Sequence, residues 1–216
     1  MSAQMIELLI LFAIAAFVLF RLKSVIGTRT GYEAPPDYLS REQPMPPPRA
    51  VEDEDEDEVM GHPVPEAAKP ALTRMREVDP DFSLPGFLDG ARGAYEMILM
   101  AYEAGDREAL KGLLDQDVYR AFEGVIAERD ASGLTVEARF IGVRDVRLEA
   151  AAFDPATGEG DLTLRFVGEL VTAVRDAEGR IVEGDPNEVR RQTDVWTFSR
   201  DMGSRDPNWL LTATGE

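Results

Sequence analysis

The side chains that could do chemistry in this chain are few, and their scarcity decides what is open to it. It has no cysteine and one histidine, His62. Disulfides, thiolate metal sites and cysteine nucleophiles are therefore excluded. Beyond residue 80, Ser-His-Asp arrangements are excluded too. His62 lies in a Pro- and acid-rich stretch with no second His or Cys to complete a metal site, and reads as a bystander. What remains is carboxylate and phenol chemistry. In "EVRRQTDVWTFSRD" (188–201) the two-residue alternation puts Asp194 on one face with Trp196 and Phe198. Asp194 is thus the candidate base, with Tyr95, Tyr102 and Tyr119 as candidate hydroxyl donors. The competing reading pairs Asp194 with Arg190, Arg191 or another arginine near the sheet edge. Tyr95, Phe166, Trp196 and Phe198 read first as core. If a pocket exists, they and Asp194 are its natural lining, with an acyl chain or apolar peptide as guest. No catalytic residue, metal ligand or cofactor is assigned.

The elements that must position these residues follow from periodicity. "PDFSLPGFLDGARGAYEMILMAYEAG" opens on turn signals and then spaces Phe87, Ala91, Tyr95, Ile98, Leu99 and Tyr102 along one helical face. Gly105 breaks this helix, and Asp106 can cap a short second one holding Leu110 and Leu113. Asp117 can cap a third, ended by "ASG" at 131–133. The period then switches to two. "LTVEARFIGVRDVRLEAAAF" reads as a strand bent near Gly142, and "DLTLRFVGELVTAVRD" as a clearer one. Turns at "AEGR" and "GDPN" lead to a strand with Trp196 and Phe198, and "NWLLTATG" supplies the last. Three helices before a four-strand meander predict an α+β domain over 80–216, its helices on one face of a curved antiparallel sheet.

Two further segments precede that domain. From Leu8 to Phe20 run thirteen consecutive apolar residues, followed by Arg21, Lys23 and Arg29. A secretory signal would carry its positive charge before the run and a small-residue cleavage site after it, so the order is wrong. Residues 1–29 read instead as a transmembrane anchor with a basic flank, in which Leu8, Leu11, Phe12, Phe17 and Phe20 face lipid and Arg21 and Lys23 sit at the interface. Extended to Ile26, the helix would measure about 33 Å, against a hydrocarbon core of about 30 Å. The positive-inside rule places the N-terminus outside and the body in the cytoplasm. Residues 30–79 hold ten of the fourteen prolines, counting to Pro80, and the acidic run "EDEDEDE" at 52–58, and read as a disordered acidic linker. The formal charge of −18 makes nucleic acid a poor partner.

In order, "FLDGARGAYEMILMAYEAGDREALKGLLDQDVYRAFEGVIAER", "GDPNEVRRQTDVWTFSRD" and "PNWLLTATGE" resemble the Tim-forty-four-like domain family, over about residues 80–216. The anchor and acidic, Pro-rich linker look like that family's bacterial, TimA-type branch. The resemblance implies a cone-shaped α+β fold like nuclear transport factor 2 and ketosteroid isomerase. It also implies a non-enzymatic adaptor, tethered to the bacterial inner membrane, that binds a protein partner or membrane surface and serves protein translocation or membrane protein assembly. The alternatives kept open are a carrier of lipid or another apolar ligand and, after it, an isomerase-like enzyme on the same cone.

Overall fold

The computed structural model describes residues 58, 59 and 61–215. The anchor residues Leu8, Leu11, Phe12, Phe17, Phe20, Arg21 and Lys23, and the linker before Glu58, lie outside the described residues. Among the described residues no helix is long and apolar enough to cross a membrane.

The chain enters through a two-residue hairpin, β1 (Glu58–Val59) and β2 (His62–Pro63), and a 3-10 turn at Glu66–Ala68. Four helices follow: α1 (Lys69–Val78), α2 (Leu84–Ala104), α3 (Arg107–Lys111) and α4 (Gln116–Ala131). The strands are β3 (Thr135–Phe153), β4 (Glu159–Arg175), β5 (Ile181–Gly184), β6 (Arg190–Asp201) and β7 (Leu210–Gly215). They form one antiparallel sheet in the order β3-β4-β6-β7, with β5 paired to β4. The architecture is α+β, with helices packed on a curved antiparallel sheet.

Local chemistry explains the helix limits. Ser83 accepts a hydrogen bond from the Gly86 amide, and Pro85 occupies the first turn, where its missing N–H costs nothing. Gly105 closes α2 at φ 69°, a left-handed conformation that glycine adopts without strain. Asp106 caps α3 through the Ala109 amide, as expected. The cap of α4 is Asp115, through the Val118 amide, and Asp117 lies inside the first turn. The two aspartates are two residues apart, and only the earlier one has the extended backbone a cap requires.

The expectation of a disordered linker reaching Asp79 is corrected for its C-terminal part. "KPALTRMREV" is helical because Pro70 sits in its first turn and Leu72 and Met75 share one face. Both are buried, as are Val59, Val64 and Ala68. Their buried apolar area offsets the entropy of ordering this segment. His62 is likewise not a bystander: its Nε2 lies 2.5 Å from Asp145 Oδ1 on β3. The three expected helices are thus preceded by a fourth and by a small hairpin, and the expected four-strand meander gains β5.

Curvature has a visible cause. Opposite β4, strand β3 carries register shifts at Phe140/Gly142, Val143/Asp145 and Leu148/Ala150, whereas β6 pairs with β4 from Arg190 to Asp201 without one. Extra residues on the outer strand lengthen its path and increase local twist, so the sheet bends about β4. The bend near Gly142 was legible in the sequence. Leu162, Leu164 and Phe166 of β4, with Val146, Leu148, Trp196 and Phe198 beside them, face the apolar stripe of α2: Leu84, Phe87, Leu88, Ala91, Tyr95 and Ile98.

Candidate functional site

Tyr95 and Asp194, predicted as donor and base, do meet. The Tyr95 hydroxyl donates to Asp194 Oδ2 at 2.5 Å, while Gln192 Nε2 donates to the same carboxylate oxygen at 2.8 Å and to the Tyr95 hydroxyl at 3.2 Å. Helix α2 brings the tyrosine down, and the alternation of β6 brings Gln192 and Asp194 to the same face. Gly168 makes the approach possible. A Cβ there would stand 2.7 Å from the Tyr95 oxygen and 2.9 Å from its Cε1. Burial and then the Asp194 charge push the Tyr95 phenol well above the ordinary tyrosine range.

Around this bond the aromatic side chains pack on each other. The Tyr95 ring stacks on Phe166 at a centroid distance of 4.5 Å and 8° between planes, and meets Trp196 at 4.7 Å. Phe198 continues the cluster from Trp196 at 6.2 Å. Tyr95 and Phe166 are fully buried. The predicted lining is therefore assembled as one cluster, with its space filled by its own rings. The expected arginine partners of Asp194 are elsewhere. Arg191 pairs with Glu169 at 3.0 Å and Arg190 with Glu188 at 3.7 Å. Arg144 joins Glu169 at 2.6 Å, and hydrogen bonds from Arg144 and Arg191 hold that carboxyl below the usual carboxylate range. Tyr102 packs against Phe122 at 4.8 Å under the Arg129 guanidinium, and Tyr119, partly buried, packs against the core.

Chemically, the arrangement is closed. Two donors occupy one oxygen of Asp194, and a phenol shielded from water and beside a carboxylate resists ionisation. Among the described residues no three His, Asp or Glu side chains gather as a metal-ligand set.

A hollow of about 690 Å³ lies between α2 and the β6–β7 connection, bordered by Phe82, Phe87, Gly90, Phe198, Arg200 and Trp209. Of the five residues expected to line a pocket, Phe198 alone borders it. Arg200 stands over the Trp209 ring, 5.2 Å from its centroid, and pairs with Asp79, the residue that ends α1. Sequence reasoning missed this side of the domain. "NWLL" signalled a strand, but nothing in it placed Trp209 against Phe87, 4.7 Å away in space.

Residues 68–216 match the Tim44-like domain. The chain is similar to the human mitochondrial import inner membrane translocase subunit TIM44, at 30% identity over 138 residues, covering 63% of this chain and 30% of that protein. The rat subunit is 28% identical over the same length, and the Arabidopsis thaliana TIM44-1 subunit 26% identical over 130 residues, covering 58% of this chain and 26% of that protein. The chain thus spans about a third of the length of the curated relatives it matches. Among solved structures, the intermembrane space region of the chloroplast protein ARC6 has a TM-score of 0.42 at 12% identity, covering 59% of this chain and 94% of that one. That score is too low to assign a shared fold. The family rests on the sequence match, which covers more than half of the chain and takes in α1's Leu72 and Met75 as well as the Tyr95–Asp194 pair. The chain belongs to the Tim44-like domain family.

Proposed function

We propose that this chain is a non-enzymatic adaptor tethered to a membrane, whose Tim44-like domain holds a protein partner near the bilayer and serves protein translocation or membrane protein assembly. The observation that carries this reading is the family match over residues 68–216, since the matched relatives are named as subunits of a membrane translocase. The closed Tyr95–Asp194 cluster supports it: the side chains most suited to catalysis are engaged in holding α2 to β6.

The apolar run at 8–20 is the tether, a single-pass helix of a bacterial inner membrane with the domain on the cytoplasmic side. A surface this acidic is repelled by anionic headgroups, so attachment depends on the tether. The domain is the cone seen in nuclear transport factor 2. A carrier of lipid or other apolar ligands is the second reading, favoured by the hollow that Phe82, Phe87 and Trp209 border.

The test is photo-crosslinking of the intact chain in its own membrane. An adaptor yields a discrete protein adduct that is lost when residues 1–29 are removed. A carrier yields lipid adducts and retains bound lipid in native mass spectrometry.

A further inference from the structure

Helix α2 keeps one face that its own domain does not use. Gly86, Gly90, Gly93, Met97, Met100 and Ala104 follow one another at intervals of four, three, four, three and four residues. That is the spacing of a seam that packs against another helix. Met100 is half-buried and the others are exposed, Met97 by 53%. The seam carries no charge over about 27 Å of helix.

Two of its glycines have no reason inside the domain. Glycine weakens a helix interior more than any residue but proline. At Gly86 the choice is forced, since a Cβ would stand 2.8 Å from the Oγ of the capping Ser83. At Gly90 and Gly93 a Cβ would meet nothing within 4 Å. Bare backbone at these positions lets the axis of a second helix come close.

The space beside the seam suits the same occupant. The hollow described above borders Gly86, Gly90 and Met97, and a second one borders Met97, Met100 and Ala104. Side chains of a helix seated on the seam have room there. In the wall of the first hollow, Arg200 is 9% exposed, with Nη2 spent on Asp79 and Nε buried without a hydrogen-bond partner. An unused buried donor is costly and calls for an acceptor from beyond the described residues. The last carbonyls of a helix are such acceptors. A helix running antiparallel to α2 brings them to this end.

Charge narrows the choice of helix. Asp89 and Glu96 flank the seam seven residues apart, and both are exposed. Among the described residues neither forms an ion pair. Arg92 lies between them in sequence, buries its Nε and pairs with neither. Glu103, next in that row, is held by Arg129 at 3.6 Å. Of the basic side chains near the ends, Arg107 and Lys111 are paired with Asp130 and Glu108, and Arg205 is offset by Asp81 on the rim of the same hollow. A second copy packed seam to seam would set Asp89 and Glu96 against the same row of its partner, and like charges there oppose pairing. We propose that the Gly86–Ala104 face of α2 takes up an amphipathic helix of a protein partner, antiparallel to α2, with Lys or Arg beside its apolar positions. The proposal rests on the adaptor reading and names the surface that reading would use.

The test uses the full chain in lipid nanodiscs and a labelled peptide of about 18 residues, with Leu at the seam spacing, Lys beside it and Ala elsewhere. Two control peptides carry Glu for Lys, or Pro at two central positions. The Lys peptide is expected to bind and to slow hydrogen exchange over residues 86–104. Gly90→Ala with Gly93→Ala should weaken it about tenfold or more while the unfolding midpoint holds or rises, because the new methyl groups meet only the incoming helix. A purely structural role for these glycines would lower the midpoint instead. Asp89→Lys with Glu96→Lys should reverse the preference, so that the Glu peptide binds better. Equal binding of the proline peptide, or full binding by the glycine variant, would overturn the proposal. So would protection confined to other parts of the domain, self-association of the chain through α2, or nanodisc lipid crosslinked to a photoreactive residue at position 97. Failure here with a membrane crosslink to protein intact sinks the seam and spares the adaptor. Peptide binding without any protein crosslink does the reverse.

Discussion

Replacing Tyr95 by Phe removes one oxygen atom and leaves the ring that stacks on Phe166. What is lost is a buried hydroxyl that donates to Asp194 at 2.5 Å and accepts from Gln192 at 3.2 Å. A hydrogen bond to a charged acceptor contributes about 1.5–3 kcal/mol net, so about 2 kcal/mol is expected. For a domain of this size that lowers the melting midpoint by about 6 °C. Asp194→Ala should cost a similar amount for a different reason, because the fully buried Tyr95 hydroxyl loses its acceptor. The double variant strands neither group, so its loss should fall short of the sum by about 1.5 kcal/mol. Urea denaturation of the three variants, with the slope checked for constancy, measures this cycle. High pH gives a second readout. The folded phenol stays protonated above the unfolded value of 10.0, so the unfolded state releases its proton first. Stability is therefore level below about pH 10 and falls above it, by up to about 1.4 kcal/mol per pH unit from this group. Tyr95→Phe should remove that share and leave the one from Tyr102, whose phenol is also raised, chiefly by burial. Additive losses, or a Tyr95→Phe effect below about 0.5 kcal/mol, would refute the account of this cluster.

Four other outcomes are expected. Gly168→Ala forces a Cβ to within 2.7 Å of the Tyr95 oxygen and should destabilise by about 1–3 kcal/mol, with part recovered in Gly168→Ala/Tyr95→Leu; no loss on calorimetry would mean the tyrosine can shift. Asp79→Ala leaves the Arg200 side chain, only 9% exposed, without its carboxylate, and should cost about 3 kcal/mol in urea denaturation. A fragment of residues 80–216 lacks Leu72 and Met75, whose burial contributes about 2 kcal/mol each, and lacks Asp79 as well. Hydrogen exchange should find it far less protected than a fragment beginning at Glu58, and equal protection would argue against α1 as part of the core. On acidification, Glu169 should protonate only below the usual range, so its contribution is present above about pH 4.5 and lost as pH falls through its lowered value. Glu169→Gln should flatten that part of the acid-unfolding curve.

How much of this was legible in the sequence depends on where periodicity spoke clearly. The stripe Phe87, Ala91, Tyr95, Ile98 and the alternation Leu162, Leu164, Phe166 each have one geometric meaning, and the helices and strands built on them stand where they were expected. Asp194 on the Trp196 face was equally direct. Its partner was not: an arginine three or four positions away looked closer in sequence than a tyrosine on another element, and Arg191 turned out to face Glu169. Helix α1 was hidden by composition. Its two buried positions, Leu72 and Met75, lie just after the acidic run and within the Pro-rich stretch, so average polarity masked a short amphipathic face. Strand β5 was lost between two turns that each read correctly. Four residues are too few for alternation to declare itself.

The central claim, that a Tim44-like domain is held at a membrane to engage a protein, is met most directly by one comparison. The intact chain and a chain lacking residues 1–29 are expressed in the same cells, crosslinked in place and fractionated. The account predicts that the intact chain sediments with membranes and carries a discrete protein adduct, while the shortened chain stays folded, remains in the supernatant and loses that adduct. A shortened chain that sediments and keeps the adduct, or an intact chain crosslinked only to lipid, would contradict it.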